Sequence, residues 1–303
     1  MKISSFLKKI GLISFALFSC HGWAISISDK VIYGADDRIL FSDLTPEIEL
    51  DKKVLELGKS VFAQIPNWRV QEFRKNDFVV DTKDIGSGLK LCDSDKYEHL
   101  PIVSSCTAFL VSQDTIMTAG HCVKNKYDCK GQSWVLDYDN SLDFIYPAGT
   151  ITFQNDKTYL CKELLEHSTT VKSDYALIRL DRPIFDRPIL KIRRSGKVLN
   201  HEILFTIGHP LGMPKTLTGN IKIRDNSQPS FFKTDADTFS GNSGSPVFGE
   251  NSGLVEGLLV RGEDDFTENS SPACKKLLKC ANGECRGESI QRTTILPFKT
   301  IPK

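Results

Sequence analysis

The sequence predicts an all-β protein made of two successive β units, and three observations predict it. From about Leu100 onward, the apolar residues fall in short continuous or alternating runs bounded by turn formers: "CTAFLV", "TIMTA", "SWVLDY", "DFIYPAG", "TITF", "DYALIRL", "EILFTIGHP", "NIKIRD", "SPVF" and "LVEGLLVRG". Runs of that length suit strands, in which successive side chains point to opposite faces. Few stretches of helical period lie between them, so regular strand-helix alternation is excluded, and barrels or sandwiches remain. Within "LDRPIFDRPILKIRRSGK", residues 180–197, prolines and a basic cluster divide the runs into two groups. Each group would form a unit of about one hundred residues.

Taken in chain order, the first element is an export leader. Lys2, Lys8 and Lys9 precede an apolar run at residues 10–18, and the small residues Gly22 and Ala24 frame a cleavage site. Residues 1–24 are therefore expected to be removed, leaving a chain that begins near Ile25 in the periplasm or outside the cell. The run is too short to cross a bilayer as a helix, and no later segment is long and apolar enough to span. "LFSC", residues 17–20, is similar to a lipoprotein signal although Phe18 fits it poorly; acylation of Cys20 is the lesser alternative. Next comes "TPE", residues 45–47, which reads as a helix start, followed by Leu50, Val54, Leu57 and Val61 at helical spacing until Pro66. Residues 25–80 are thus expected to be an N-terminal segment or propeptide with one helix. The remainder, residues 81–303, divides near residue 185.

Composition limits the partners. Of 303 residues, 40% are hydrophobic and 25% charged, as in folded soluble proteins. The 39 Lys and Arg nearly balance the 38 Asp and Glu, so there is no excess positive charge with which to neutralise a phosphate backbone. Loss of Cys20 with the leader leaves eight of nine cysteines, an even number in an oxidising compartment. Cys129 and Cys161 flank the middle strands of the first unit and are a candidate pair; the pairing of Cys92, Cys274, Cys280 and Cys285 stays open. Zinc is the rival for "CKKLLKCANGEC", but its spacings are not paired CxxC units and no histidine lies nearby. Neither metal nor organic cofactor is expected.

Three short stretches carry chemistry. "TAGHC" puts His121 at the end of an apolar strand, "DYALIRL" puts Asp174 at the start of another, and "SGNSGSP" holds Ser243 between small or turn-forming neighbours. A serine hydroxyl is a weak nucleophile unless a histidine takes its proton, and that histidine must be held in one tautomer by a carboxylate. The attacked carbonyl becomes an oxyanion that needs fixed N–H donors, and glycines beside Ser243 let the backbone aim the N–H groups of Gly241 and Ser243 into one cavity. His209 in "GHPLG" reads as a turn residue.

With "TAGHC", "DYALIRLDRPI" and "GNSGSPVF" in that order, and Cys106 and Cys122 bracketing the histidine, the chain resembles the chymotrypsin-fold serine peptidases over roughly residues 85–300. The resemblance implies two antiparallel six-stranded β-barrels, residues 81–185 and 186–303, with the active site between them. It also implies a Cys106–Cys122 disulfide, His121 as base then acid, Asp174 as its orienting partner, Ser243 as nucleophile, and hydrolysis of protein or peptide substrates through an acyl-enzyme. Asn242 stands where digestive members carry an aspartate that pairs with a new N-terminal amine, so that switch should be absent. "TIGHPLGMP" and "VIYGADDR" are more similar to the bacterial glutamyl endopeptidase and HtrA-like branches, and trimming between Lys30 and Val31 fits a trypsin-like cut. Asp237, six before Ser243, would sit at the base of a pocket for Lys or Arg. The alternative is a glutamate-specific enzyme using Thr238 and Arg261, although Leu259 replaces the histidine of that branch. A protease-like binding protein without turnover is the remaining alternative.

Overall fold

A computed structural model describes residues 32–73, 75–92, 95–139, 144–145, 149–267, 273–281 and 284–297. The expected leader, Cys20 and the Lys30–Val31 bond lie outside the described residues.

The first unit is a closed six-stranded antiparallel barrel, in the order Thr158–Thr169, Asp174–Leu180, Thr115–Thr118, Cys106–Ser112, Val61–Pro66 and Gln132–Val135. The two-residue period of its strands creates two cores. Ala108, Leu110, Ile116 and Ile178 pack inside the barrel with Phe62 and Trp134. Their chain neighbours Phe109, Val111, Met117 and Leu177 face the second unit and meet Phe205, Leu217, Phe248 and Leu258. One strand thus serves the interior and the joint between units.

The second unit holds Leu204–Gly208, Thr216–Ile221, Ile223–Asp225, Phe231–Thr234, Pro246–Gly249, Val255–Arg261 and Glu288–Arg292 in one antiparallel sheet. Thr216–Ile221 and Ile223–Asp225 are two halves of a strand broken at Lys222, whose N–H donates to Asp235 Oδ1 at 2.7 Å. The first half pairs with Leu204–Gly208, and the second pairs with Phe231–Thr234 at the other end of the sheet. The bend therefore curls the sheet into a half-barrel around Leu204, Ile221, Phe232, Val247, Leu259 and Ile290, beside the closed first barrel. The double-barrel expectation is met.

The N-terminal region is woven into both units. A helix forms at Glu49–Gly58, as its spacing predicts, but it stops short of Pro66. A Cβ at Gly58 would overlap the Phe41 ring, and Val61–Pro66 is buried throughout as the strand that closes the first barrel. Pairing on both edges outweighs helical spacing there. Arg38–Leu40 extends the second sheet, with Arg38 opposite Thr218 and Leu40 opposite Thr216. A further four-stranded sheet, in the order Val70–Phe73, Asp77–Asp81, Thr150–Gln154 and Phe144–Ile145, lies beside the first barrel. All four bridges among the described cysteines form: Cys92–Cys274, Cys106–Cys122, Cys129–Cys161 and Cys280–Cys285.

Arg38 is the anchor of the N-terminal strand. Its side chain is fully buried, donating to Asp95 Oδ2 at 2.9 Å and to both Asp36 oxygens at 2.9 Å. The guanidinium lies 5.4 Å from the Tyr97 ring centroid and 4.9 Å from that of Phe239. Deleting one partner of a buried pair leaves the other charge desolvated. Arg38→Ala is therefore expected to lower stability by about 3–5 kcal/mol, read from urea denaturation midpoints; a loss under about 1 kcal/mol would refute the anchoring role.

Candidate active site

His121 stands on a short 3-10 turn, Gly120–Cys122, directly after the Thr115–Thr118 strand. A Cβ at Gly120 would overlap the Ser168 carbonyl, so glycine lets the turn sit against the neighbouring strand. Asp174 begins the Asp174–Leu180 strand, which pairs with Thr115–Thr118 so that Ala176 faces Thr118. That register brings the start of one strand to the exit of the other. His121 Nδ1 and Asp174 Oδ2 are 3.0 Å apart, and the His121 N–H donates to Asp174 Oδ1 at 3.0 Å. The Asp174 N–H in turn donates to Gln291 Oε1 at 3.0 Å. Burial alone would raise the Asp174 carboxyl; the His121 ring and backbone N–H, with Arg261 Nε 4.0 Å away, outweigh it and hold the group below its ordinary value. The carboxylate is thus charged and aligned against a ring whose side chain is 38% exposed.

Ser243 comes from the other barrel, on the loop before Pro246–Gly249. Gly241 and Gly244 flank it at φ +96° and +88°, conformations that side chains resist. A Cβ at Gly244 would overlap the Thr107 carbonyl, and one at Gly241 the His209 carbonyl. Thr107 fastens this loop to the first barrel: its N–H donates to the Ser243 carbonyl at 2.8 Å, and its hydroxyl donates to the Gly241 carbonyl at 2.8 Å. Its own carbonyl accepts from Thr118 Oγ1 at 2.7 Å. Cys122, joined to Cys106 and next to His121, brings Sγ within 3.7 Å of the same Ser243 carbonyl. With both carbonyls engaged, the N–H groups of Gly241 and Ser243 have no acceptor among the described residues. The arrangement can accept a proton at the imidazole and offer two free N–H donors to a developing negative charge.

His209 does open a turn, its carbonyl accepting from the Gly212 N–H at 2.9 Å. It is fully buried, stacked on Tyr138 with ring centroids 5.4 Å apart, and its Nδ1 lies 3.1 Å from the Met213 carbonyl. Burial pushes its pKa down to about 3, with the buried Lys215 adding to the effect, so it supports the Gly241 turn as a neutral ring.

Ser243 borders a pocket of about 170 Å³. Thr238 and Arg261 line it; Asp237 does not. The Asp237 carboxylate, 3% exposed, instead accepts from the Tyr33 N–H at 2.7 Å and the Asp37 N–H at 2.9 Å. The chain's own N-terminal backbone occupies the position where a substrate cation was expected. Thr238 Oγ1 donates to Glu288 Oε2 at 2.8 Å, and Arg261 Nη2 donates to the Thr170 carbonyl at 3.0 Å. Three acidic residues that the sequence does not flag, Glu263, Asp265 and Glu288, also line the pocket. Thr107 and Gln291 were likewise invisible, since neither sits in a motif.

Burial pushes the Asp237 carboxyl up to about 7 against its two N–H bonds, and Asp36 and Asp37 push the same way. The folded state therefore holds a proton that the unfolded chain, with an Asp near 3.9, releases. Stability contributed by that proton is present below about pH 4 and declines as pH rises to about 7. Asp237→Asn is expected to flatten this decline by on the order of 1–4 kcal/mol, compared by urea melts at acidic and neutral pH. Equal declines in the two proteins would refute it.

A family model described as a trypsin-like peptidase domain matches residues 106–258, a span holding His121, Asp174 and Ser243. No curated protein matches the chain. Among solved structures, a Glu endopeptidase in complex with MPD is similar at 16% identity and a TM-score of 0.47, covering 87% of this chain and 94% of that one. The active form of the Rv3671c protease from M. tuberculosis is similar at 15% identity and a TM-score of 0.43, covering 80% and 79%. By the half of its length that the family model matches, the chain belongs to the trypsin-like peptidase domain family.

Proposed function

We propose that this chain is a secreted serine endopeptidase in which His121, Asp174 and Ser243 form the catalytic triad. The observation that carries the reading is the doubly bonded His121–Asp174 pair on one barrel, set beside the Gly-flanked Ser243 loop of the other. Ser243 Oγ attacks the scissile carbonyl while His121 Nε2 takes its proton; Asp174 fixes Nδ1–H and stabilises the imidazolium. The N–H groups of Gly241 and Ser243 receive the oxyanion. His121 then gives its proton to the leaving amine, and water, deprotonated by His121, hydrolyses the acyl-enzyme.

Secretion is supported by the leader-like residues 1–24 and by four disulfides. The peptidase body then starts well before residue 81, because Arg38–Leu40 and Val61–Pro66 are strands of the two barrels. Trimming, where it occurs, falls upstream of Tyr33, whose N–H holds Asp237. Lys or Arg before the cut is the preferred substrate residue, since three carboxylates and one guanidinium line the pocket. A glutamate preference would use Thr238 and Arg261, but both donate to other acceptors within the protein.

The test is digestion of a mixed peptide library by the secreted protein and by Ser243→Ala, with cleaved bonds identified by mass spectrometry. Turnover is expected to fall at least about 10⁴-fold in the variant; equal behaviour, or no cleavage by either, would leave a binding protein of the same fold. Thr107→Val keeps the N–H on Ser243 but loses the hydroxyl on Gly241. It is expected to lower kcat about 10–100-fold with KM within about twofold, and Thr107→Ser to recover most of the loss. A change confined to KM would contradict this positioning role.

A further inference from the structure

Glu288 lies on the face of its strand that carries Ile290, where the second barrel ends in the pocket beside Ser243. It is 3% exposed. Thr238 Oγ1 donates to its Oε2 at 2.8 Å, and the Glu263 N–H donates to its Oε1 at 3.2 Å. No cation pairs with it among the described residues. The other charged groups of the pocket are engaged: Glu263 pairs with Arg286 at 3.2 Å, Asp265 accepts from the Ser240 N–H at 3.0 and 3.1 Å, and Arg261 donates to Thr170. At residue 262, glycine is required by contact, since a Cβ there would overlap Glu288 Oε2. The pocket's volume of about 170 Å³ is below the usual range for ligand cavities and suits one side chain.

We propose that Glu288 is the specificity-determining residue of this enzyme, its carboxylate receiving the ammonium or guanidinium of the substrate residue before the cut. This deepens the endopeptidase reading and rests on it. A buried carboxylate with two hydrogen bonds and no counter-ion gains a partner only when a basic side chain enters, whereas a neutral or acidic one leaves it unpaired or repelled. Asp237 has no part in recognition, because its oxygens are held by the Tyr33 and Asp37 N–H groups.

The preference carries its own pH dependence. Burial pushes the Glu288 carboxyl up to about 8; the bonds from Thr238 and Glu263 oppose this, while the charges of Asp265 and Glu263 add to it. The Tyr33 hydroxyl is also raised, by burial and then by the charges of Glu288 and Glu263, and Arg261 is the cation on the pocket wall. An entering cation favours the ionised form, so discrimination for Lys should strengthen as pH rises toward about 8.

The experiment compares peptides differing only in Lys, Gln or Glu before the cut, with wild type, Glu288→Gln and Asp237→Asn, at pH 6.5 and 8.5. A fluorophosphonate label on Ser243 is measured in parallel. Wild type is expected to prefer Lys, more so at pH 8.5. Glu288→Gln should lose about 10²–10³-fold in kcat/KM for Lys while the Gln peptide changes less than about threefold; Asp237→Asn should keep the Lys preference. Equal losses on Lys and Gln with labelling intact, or a wild-type preference for Glu, would overturn the role of Glu288 while leaving the nucleophile in place. No labelling of wild type would overturn both readings. Should Glu288→Gln fail to fold, p-aminobenzamidine binding to wild type decides: saturable binding that tightens from pH 6.5 to 8.5 supports the proposal, and its absence refutes it.

Discussion

Neither barrel of this protein holds a complete site, so everything depends on how the two are registered, and that register runs through Thr107. Three of its polar atoms are used: N–H and hydroxyl on the carbonyls of Ser243 and Gly241, and its own carbonyl on Thr118. The positive-φ glycines at 241 and 244 let the loop come that close, and the Cys106–Cys122 bridge begins at the adjacent residue. The apolar joint of Phe109, Val111, Met117, Phe205, Leu217 and Phe248 then excludes water from behind this contact. Packing holds the barrels together, and a few directed bonds set the alignment.

Charge is distributed on a similar logic. Arg38 is buried with two aspartates, whereas Asp237 and Glu288 are buried with hydrogen bonds and no counter-ion among the described residues, and burial raises both. The first arrangement stabilises an ionised pair; the second keeps carboxyls ready to change their proton with the surroundings. One such group faces the N-terminal segment and the other the pocket beside Ser243, so proton uptake is divided between a structural joint and a pocket wall.

The sequence was informative where chemistry forces local pattern. "TAGHC" needs its glycine against Ser168, and "GNSGSPVF" needs glycines beside Thr107 and His209, so these stretches announce themselves. Strand runs were readable because burial alternates every two residues. Contacts made across the chain were not. Asp237 has the right distance from Ser243 along the backbone, but spacing cannot reveal that the Tyr33 and Asp37 N–H groups reach it from about two hundred residues away. Glu288 in "RGESIQR" looks like any alternating strand residue until the barrel closes around it. Val61 continues a helical spacing, yet the strand it begins has partners on both sides.

The broken strand at Lys222 has one more consequence, for the order in which the molecule can be completed. Arg38–Leu40 waits for residues beyond 215, and the strand after the bend waits for Phe231–Thr234, which itself pairs with Glu288–Arg292. The first and last of the described strands, Arg38–Leu40 and Glu288–Arg292, therefore belong to one sheet, and the later one borders the pocket. A nascent chain that stops short of residue 288 has neither Glu288 nor the strand that carries it. Completion of this pocket wall thus waits until residues 288–292 have been made, at the kinetic cost that distant pairings carry.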